Sequence, residues 1–199
     1  MTDQTYKDFW KWFQQQEERL FYYEAYEKEL LPQVLNELQK VNKDLVFEIG
    51  PEMEGQREFV VSANGMKSAF SDVIELVKYA PDLDRWHIIP FRQRKDVSEL
   101  EVQLDDLILT PNDISFSYQK EKGRINLSLY VEDMDDEDEK MYHMVFLILD
   151  NIIGEYDVEM KIGSIDIYSD GDLAEDEQLF PLTKLPHIID SLSSNSTVH

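Results

Sequence analysis

The chain has 199 residues, 42 of them Asp or Glu against 19 Lys or Arg, for a formal charge of −23, and 42% are hydrophobic and 12% aromatic. That apolar content and length support a sizeable core, which excludes disorder throughout. The chain has no cysteine, which removes disulfides, thiolate metal sites and Cys nucleophiles, and its charge opposes the Lys and Arg contacts on which sequence-independent nucleic-acid binding depends.

The longest strongly apolar run, 144–149, is too short to cross a bilayer. The first residues lack the basic start and apolar stretch of a secretory signal. These features predict a cytoplasmic protein without membrane association.

Tyr6, Phe9, Trp10, Phe13, Leu20 and Phe21 fall near i, i+3, i+4, i+7 spacing, which predicts a first helix with an aromatic stripe. Leu30, Leu31, Val34, Leu35, Leu38 and Val41 keep the helical period. Pro32 lacks an amide donor and predicts a kink or a fresh helix start there. From Leu45 the period becomes two, through Phe47 and Ile49, and turn chemistry at 51–56 precedes Glu58, Phe59, Val60 and Val61, which predicts a β-hairpin. Asn64 and Gly65 end that strand. Phe70, Val73, Ile74 and Val77 then predict a helix closed by Pro81, and a third strand follows at 85–91.

In the second half Leu100, Val102 and Leu104 alternate, then Leu107 and Leu109 resume on the other parity, which predicts a bulge or break at Asp105 and Asp106. Ile114, Phe116 and Tyr118, then Ile125, Leu127, Leu129 and Val131, predict a second hairpin across 120–123. After the acidic run 132–139, residues 140–153 predict a helix so apolar that little of it can face water. Val158, Met160, Ile162, Ile165 and Ile167 predict a strand with a bulge at Gly163 and Ser164. A short helix near 185–192 and a polar tail complete the chain.

Residues 45–91 and 114–168 therefore spell the same order: strand, hairpin turn, strand, helix, strand. The expected class is α+β: two ββαβ-like units, largely antiparallel sheet or sheets with helices on one face, preceded by an N-terminal helical segment. Residues 1–199 read as a single acidic domain, with sub-lobes 1–95 and 96–199 as the finer division. Charge divides unevenly between them: 17 acids and 13 bases in 1–95, but 25 acids and 6 bases, a net of −19, in 96–199.

Among residue types that could carry chemistry, His87, His143, His187 and His199 form no recognisable triad pattern, and no GxSxG elbow is present. The acidic run 132–139 has no glycine for a sharp calcium loop. Asp166, Asp170, Gly171 and Glu177, with Asp172 between, match an EF-hand loop at its first, fifth, sixth and twelfth positions, but Tyr168 replaces a ligand and a strand precedes where a helix is required. Pro81-Asp82, or alternatively Asp113, with Glu159 and Lys161 resembles a P-D…E-x-K metal-nuclease pattern at long separations; alternation on a strand also explains Glu159 and Lys161. The basic segment 85–95 offers the best small-ligand candidates. Arg92 and Arg94 are expected on one strand face, where guanidinium groups suit carboxylate or phosphate, with Arg85 nearby and Trp86 free to stack. The rival reading is neutralisation of the chain's own surplus acids.

Phe9-Trp10-Lys11-Trp12-Phe13, Asp44-Leu45-Val46-Phe47-Glu48-Ile49-Gly50-Pro51, Arg57-Glu58-Phe59-Val60-Val61-Ser62-Ala63-Asn64-Gly65 and Ala80-Pro81-Asp82-Leu83-Asp84-Arg85-Trp86 together resemble a family of bacterial cytoplasmic proteins, a domain of unknown function. The resemblance continues through 147–165. It implies a bacterial origin and a compact fold and transfers no site residue.

The expected function is that of a non-enzymatic inhibitor-like or immunity-like protein, without a cofactor, whose acidic second half meets a basic protein partner and not nucleic acid. The alternative is binding of a small anionic ligand, or a minor enzymatic activity, at 85–95.

Overall fold

The computed structural model describes residues 3–134, 139–172 and 178–194. The chain is α+β and forms two compact units, Met1–Arg92 and Gln93–His199, each with its own hydrophobic core.

The first unit begins with α1 (Asp3–Phe21), whose predicted aromatic stripe is the buried face: Tyr6, Phe9, Trp10, Phe13, Leu20 and Phe21. Aromatic residues at helical spacing need a partner surface, and here Phe9, Trp10 and Phe13 all reach Phe59, with ring centroids 5.0–6.3 Å away. A 3₁₀ turn at Tyr23–Ala25 leads to α2 (Glu27–Gln39). Of the two alternatives at Pro32, the fresh helix start is corrected: α2 runs through Pro32, and the helix boundary falls upstream, at the turn. Packing of Leu30, Val34 and Leu38 holds α2 despite the single backbone hydrogen bond that Pro32 forgoes.

Strands β1 (Val46–Ile49) and β2 (Arg57–Ser62) pair antiparallel, and α3 (Phe70–Lys78) carries the chain over to β3 (Trp86–Pro90), parallel to β2. The order is β1-β2-β3. Asn64 and Gly65, at φ 51° and 74°, supply the left-handed turn that opens the crossover.

The second unit starts with a small antiparallel pair, β4 (Val102–Leu104) and β5 (Leu107–Leu109). The parity change at Asp105 and Asp106 is a break in which the chain reverses: a two-residue turn pairs Leu104 with Leu107, with Asp105 at φ 54°. β6 (Ile114–Glu121) and β7 (Arg124–Val131) form the second predicted hairpin, closed by Lys122 and Gly123, both with positive φ as the twist of a two-residue hairpin loop favours.

α4 (Glu139–Ile153) buries Met144, Val145, Ile148, Leu149, Ile152 and Ile153 in one core with Ile125, Leu127, Leu129 and Val131 of β7. Its apolar surface is not fully covered, since Phe146 stays 42% exposed. Gly154, at φ 88°, ends α4, and α5 (Glu155–Lys161) follows directly.

Here the predicted strand through Val158 and Met160 is corrected to a helix. Two alternating apolar residues before Ile162 are too few to define a period, and Glu, Met and Lys favour helix. β8 (Ile162–Ser169) then pairs parallel to β7, and the expected bulge is present: Ile162 to Ile165 spans three steps against two between Ile125 and Leu127. A Cβ at Gly163 would overlap Asn126 Oδ1 unless that side chain moved. β9 (Phe180–Pro181) borders β6, giving the order β8-β7-β6-β9, and α6 (Leu185–Ser194) closes the core with Leu185 and Ile189.

Both units thus share one arrangement: an antiparallel strand pair, a helical crossover, and a third strand parallel to the second.

Candidate functional site

The four basic and aromatic candidates of segment 85–95 do not share a strand face. β3 ends at Pro90, Phe91 turns at φ 61°, and Arg92 closes the first unit while Arg94 belongs to the second. Each side chain has local partners. Arg85 reaches Glu18 at 2.8 Å and Glu17 at 3.4 Å while lying 4.5 Å from the Phe21 ring centroid. The Glu18 hydrogen bond pushes the Arg85 pKa further above its ordinary value.

Trp86 is 5% exposed, with Phe13, Phe21 and Phe59 rings at 5.1–6.3 Å, so its indole forms part of the core and not a platform open to solvent. Arg92, 7% exposed, donates from Nε to Glu48 Oε1 at 2.5 Å and from Nη1 to Ser62 Oγ at 2.9 Å. Arg94 donates to the Ile153 carbonyl, Asp190 and Asp157 at 2.7–3.0 Å. It caps a carbonyl at the C-terminal end of α4, where a cation complements the helix dipole, and links that end to α5 and α6.

The sequence reading missed Arg57. It is 6% exposed, pairs with Glu24 at 2.6 Å and the Gly50 carbonyl at 3.0 Å, and sits 5.1 Å and 5.5 Å from the Tyr23 and Phe21 centroids. A hydrogen bond from its own backbone N–H, with the Arg57 guanidinium, holds the Glu24 carboxyl below its ordinary range despite partial desolvation. The available signal was a guanidinium at the head of a strongly apolar strand, where only a paired cation is tolerated.

Comparison with protein-family models, with curated proteins and with solved structures finds no match.

The acidic candidates are placed separately. Asp166 is an exposed residue of β8 opposite Ser128, and Asp170 opens the 3₁₀ turn Asp170–Asp172. Glu177, and residues 135–138 of the acidic run, lie outside the described residues. Among the described residues, no group of three or more His, Asp or Glu is gathered so that it could hold a metal ion.

Asp113 serves as a cap, accepting from Thr110 N and Oγ1 at 2.7 Å and 2.8 Å. Glu159 and Lys161 are on helix α5 and not on the predicted strand, and Lys161 pairs with Asp157 at 2.9 Å. His87, His143 and His187 are exposed on β3, α4 and α6, and His199 lies outside the described residues.

In the second unit several cations turn back onto their own chain. Lys140 meets Asp105 at 2.5 Å, lowering that carboxyl's pKa through a direct hydrogen bond, and Arg124 donates to the Glu159 carbonyl at 2.5 Å. Glu101, Asp106, Glu132, Asp133 and Asp166 are exposed. Among the described residues no helix is long and apolar enough to cross a membrane.

Proposed function

We propose that this chain is a non-catalytic protein-binding module, of inhibitor or immunity type, which offers its acidic second half to a basic protein in the bacterial cytoplasm. The observation that carries the reading is the imbalance of 25 acids to 6 bases over 96–199. Where those bases go strengthens it: Lys140, Lys161 and Arg124 are engaged with groups of their own unit. Carboxylates in excess of the bases then set the sign of the field outside the unit.

A surface potential of one sign steers an oppositely charged partner, raising the association rate and making the encounter fall with ionic strength. Such a surface imitates the charge of a phosphate backbone. The setting follows from the resemblance carried by residues 9–13, 44–51, 57–65 and 80–86.

The test immobilises the full chain beside a variant neutralised at exposed positions, Glu101→Gln, Asp106→Asn, Glu132→Gln and Asp133→Asn. A basic protein held by the parent at about 50 mM salt, released at about 500 mM and poorly held by the variant supports the reading, because screening acts within roughly 10 Å at 0.1 M. Recovery of no basic partner at any ionic strength overturns it.

A further inference from the structure

Helix α5 sets Val158 against the core but leaves two other large apolar side chains nearly half exposed. Glu155 is 1% exposed, whereas Tyr156 and Met160 are each 45% exposed. Four residues apart on a helix, Tyr156 and Met160 are neighbours on one face. The longer helix before it buries six aliphatic or Met side chains, and α6 buries Leu185 and Ile189. Ile108, Phe146 and Tyr168 of this unit are also more than a third exposed, but Tyr156 and Met160 stand side by side. Adjacent exposed apolar side chains rimmed by polar residues make a patch of the kind that receives another molecule.

The surroundings give the chemistry of that molecule. Of the six acids in residues 155–172, Glu155 is buried and Asp157 is paired with Lys161 at 2.9 Å and with Arg94 at 3.0 Å, while Asp166 and Asp170 are exposed carboxylates. β8 follows α5 without a break and is the terminal strand of its sheet, hydrogen-bonded among the described residues only to β7. Asp166 and Tyr168 occupy exposed positions along it. Tyr and Met are enriched in the cores of protein interfaces and charged residues in their rims. A terminal strand also presents backbone groups that an extended segment can pair with.

We propose that Tyr156 and Met160 anchor a docking surface, continued along β8, for a Lys/Arg-rich extended segment that carries apolar side chains. This rests on the proposed function and gives the basic partner its place and its chemistry.

The experiment titrates the full ¹⁵N-labelled chain with two probes of equal charge, a short polylysine peptide interrupted by leucines and the same peptide interrupted by serines. The leucine probe binds about tenfold tighter, the size expected when an anchor pair is engaged, and the amides of 155–169 shift. The Tyr156→Ser/Met160→Ser variant, changed only at exposed positions, keeps the parent circular dichroism and loses the preference for leucine; either single substitution serves if the pair unfolds. Asp166→Lys weakens both probes.

Equal binding of the two probes by the parent, shifts confined to other residues, or an unchanged preference in the double variant overturns the anchor. Salt-sensitive binding of both probes would then leave the acidic-surface reading standing. Failure of both probes at low ionic strength overturns both.

Discussion

The indole N–H of Trp10 donates to the carbonyl of Leu76 across 2.7 Å, inside the first unit's core. Leu76 lies in the last turn of α3, where its carbonyl also accepts from the Tyr79 N–H at 3.2 Å, so the indole of α1 adds a second donor to a carbonyl at the helix end. Burial and hydrogen bonding thus act on one side chain, joining α1 to the crossover helix. Trp10→Phe keeps much of the apolar surface and removes the donor; a loss of about 1–3 kcal/mol is expected by urea unfolding. Trp12→Phe, at a half-buried position, serves as the milder control.

Tyr6 adds a second tie between the same helices, donating to Asp72 Oδ1 at 2.8 Å. Burial first, then the Asp72 hydrogen bond and charge, pushes its pKa up from 10.0 to about 12. The folded state therefore favours the neutral phenol. Its contribution is complete below pH 10, where the unfolded phenol also holds its proton, and it disappears as pH climbs through about 12. At most about 3 kcal/mol is at stake. Unfolding titrations from pH 8 to about 12 should show the parent losing more stability over this range than Tyr6→Phe; parallel curves would refute the assignment.

Arg92 and Arg94 are two residues apart, yet the fold commits them to different units, and their substitutions should be felt in different places. Arg92→Ala removes a buried donor to Ser62 and the partner of Glu48, whose side chain is 36% exposed and so recovers hydration; about 2 kcal/mol is expected. Arg94→Ala releases the Ile153 carbonyl and two carboxylates that reach water, at about 1 kcal/mol. Amide exchange reports where: faster in β1 and β2 for Arg92→Ala, faster in α5 and α6 for Arg94→Ala. Exchange changes in the opposite units would contradict the placement.

The elements that could be read from the sequence are those whose cause is local. The α1 stripe repeats over five turns, and the Lys122-Gly123 turn sits between two eight-residue strands, so period and turn chemistry agree. Two alternating residues before Ile162 carry no such weight, and a Gly in the left-handed region with helix-favouring residues after it decided α5 instead. The basic candidates failed to assemble for a different reason. The carboxylates that claim Arg57 and Arg92 lie 33 and 44 residues away in sequence, and nothing near an arginine announces a partner at that separation. Burial of Glu155 was equally illegible, because exposure on a short helix depends on which side meets the core.

Gly163 tests the bulge that aligns β8 with β7. A Cβ added there would overlap Asn126 Oδ1, while the next nearest atoms, Asn126 Cγ at 3.4 Å and the Ile125 carbonyl oxygen at 3.5 Å, leave ordinary room. The obstacle is thus the end of one side chain, which can swing aside at the expense of its 3.3 Å hydrogen bond to Glu121. Gly163→Ala should therefore cost only about 1 kcal/mol, the scale of a lost exposed hydrogen bond plus an unfavourable rotamer. The same substitution in an Asn126→Ala background should be nearly neutral. A double-mutant cycle by urea unfolding would return a coupling of about 1 kcal/mol between the two positions. An undiminished penalty in the Asn126→Ala background would mean that the backbone itself, and not Asn126, demands glycine at the bulge.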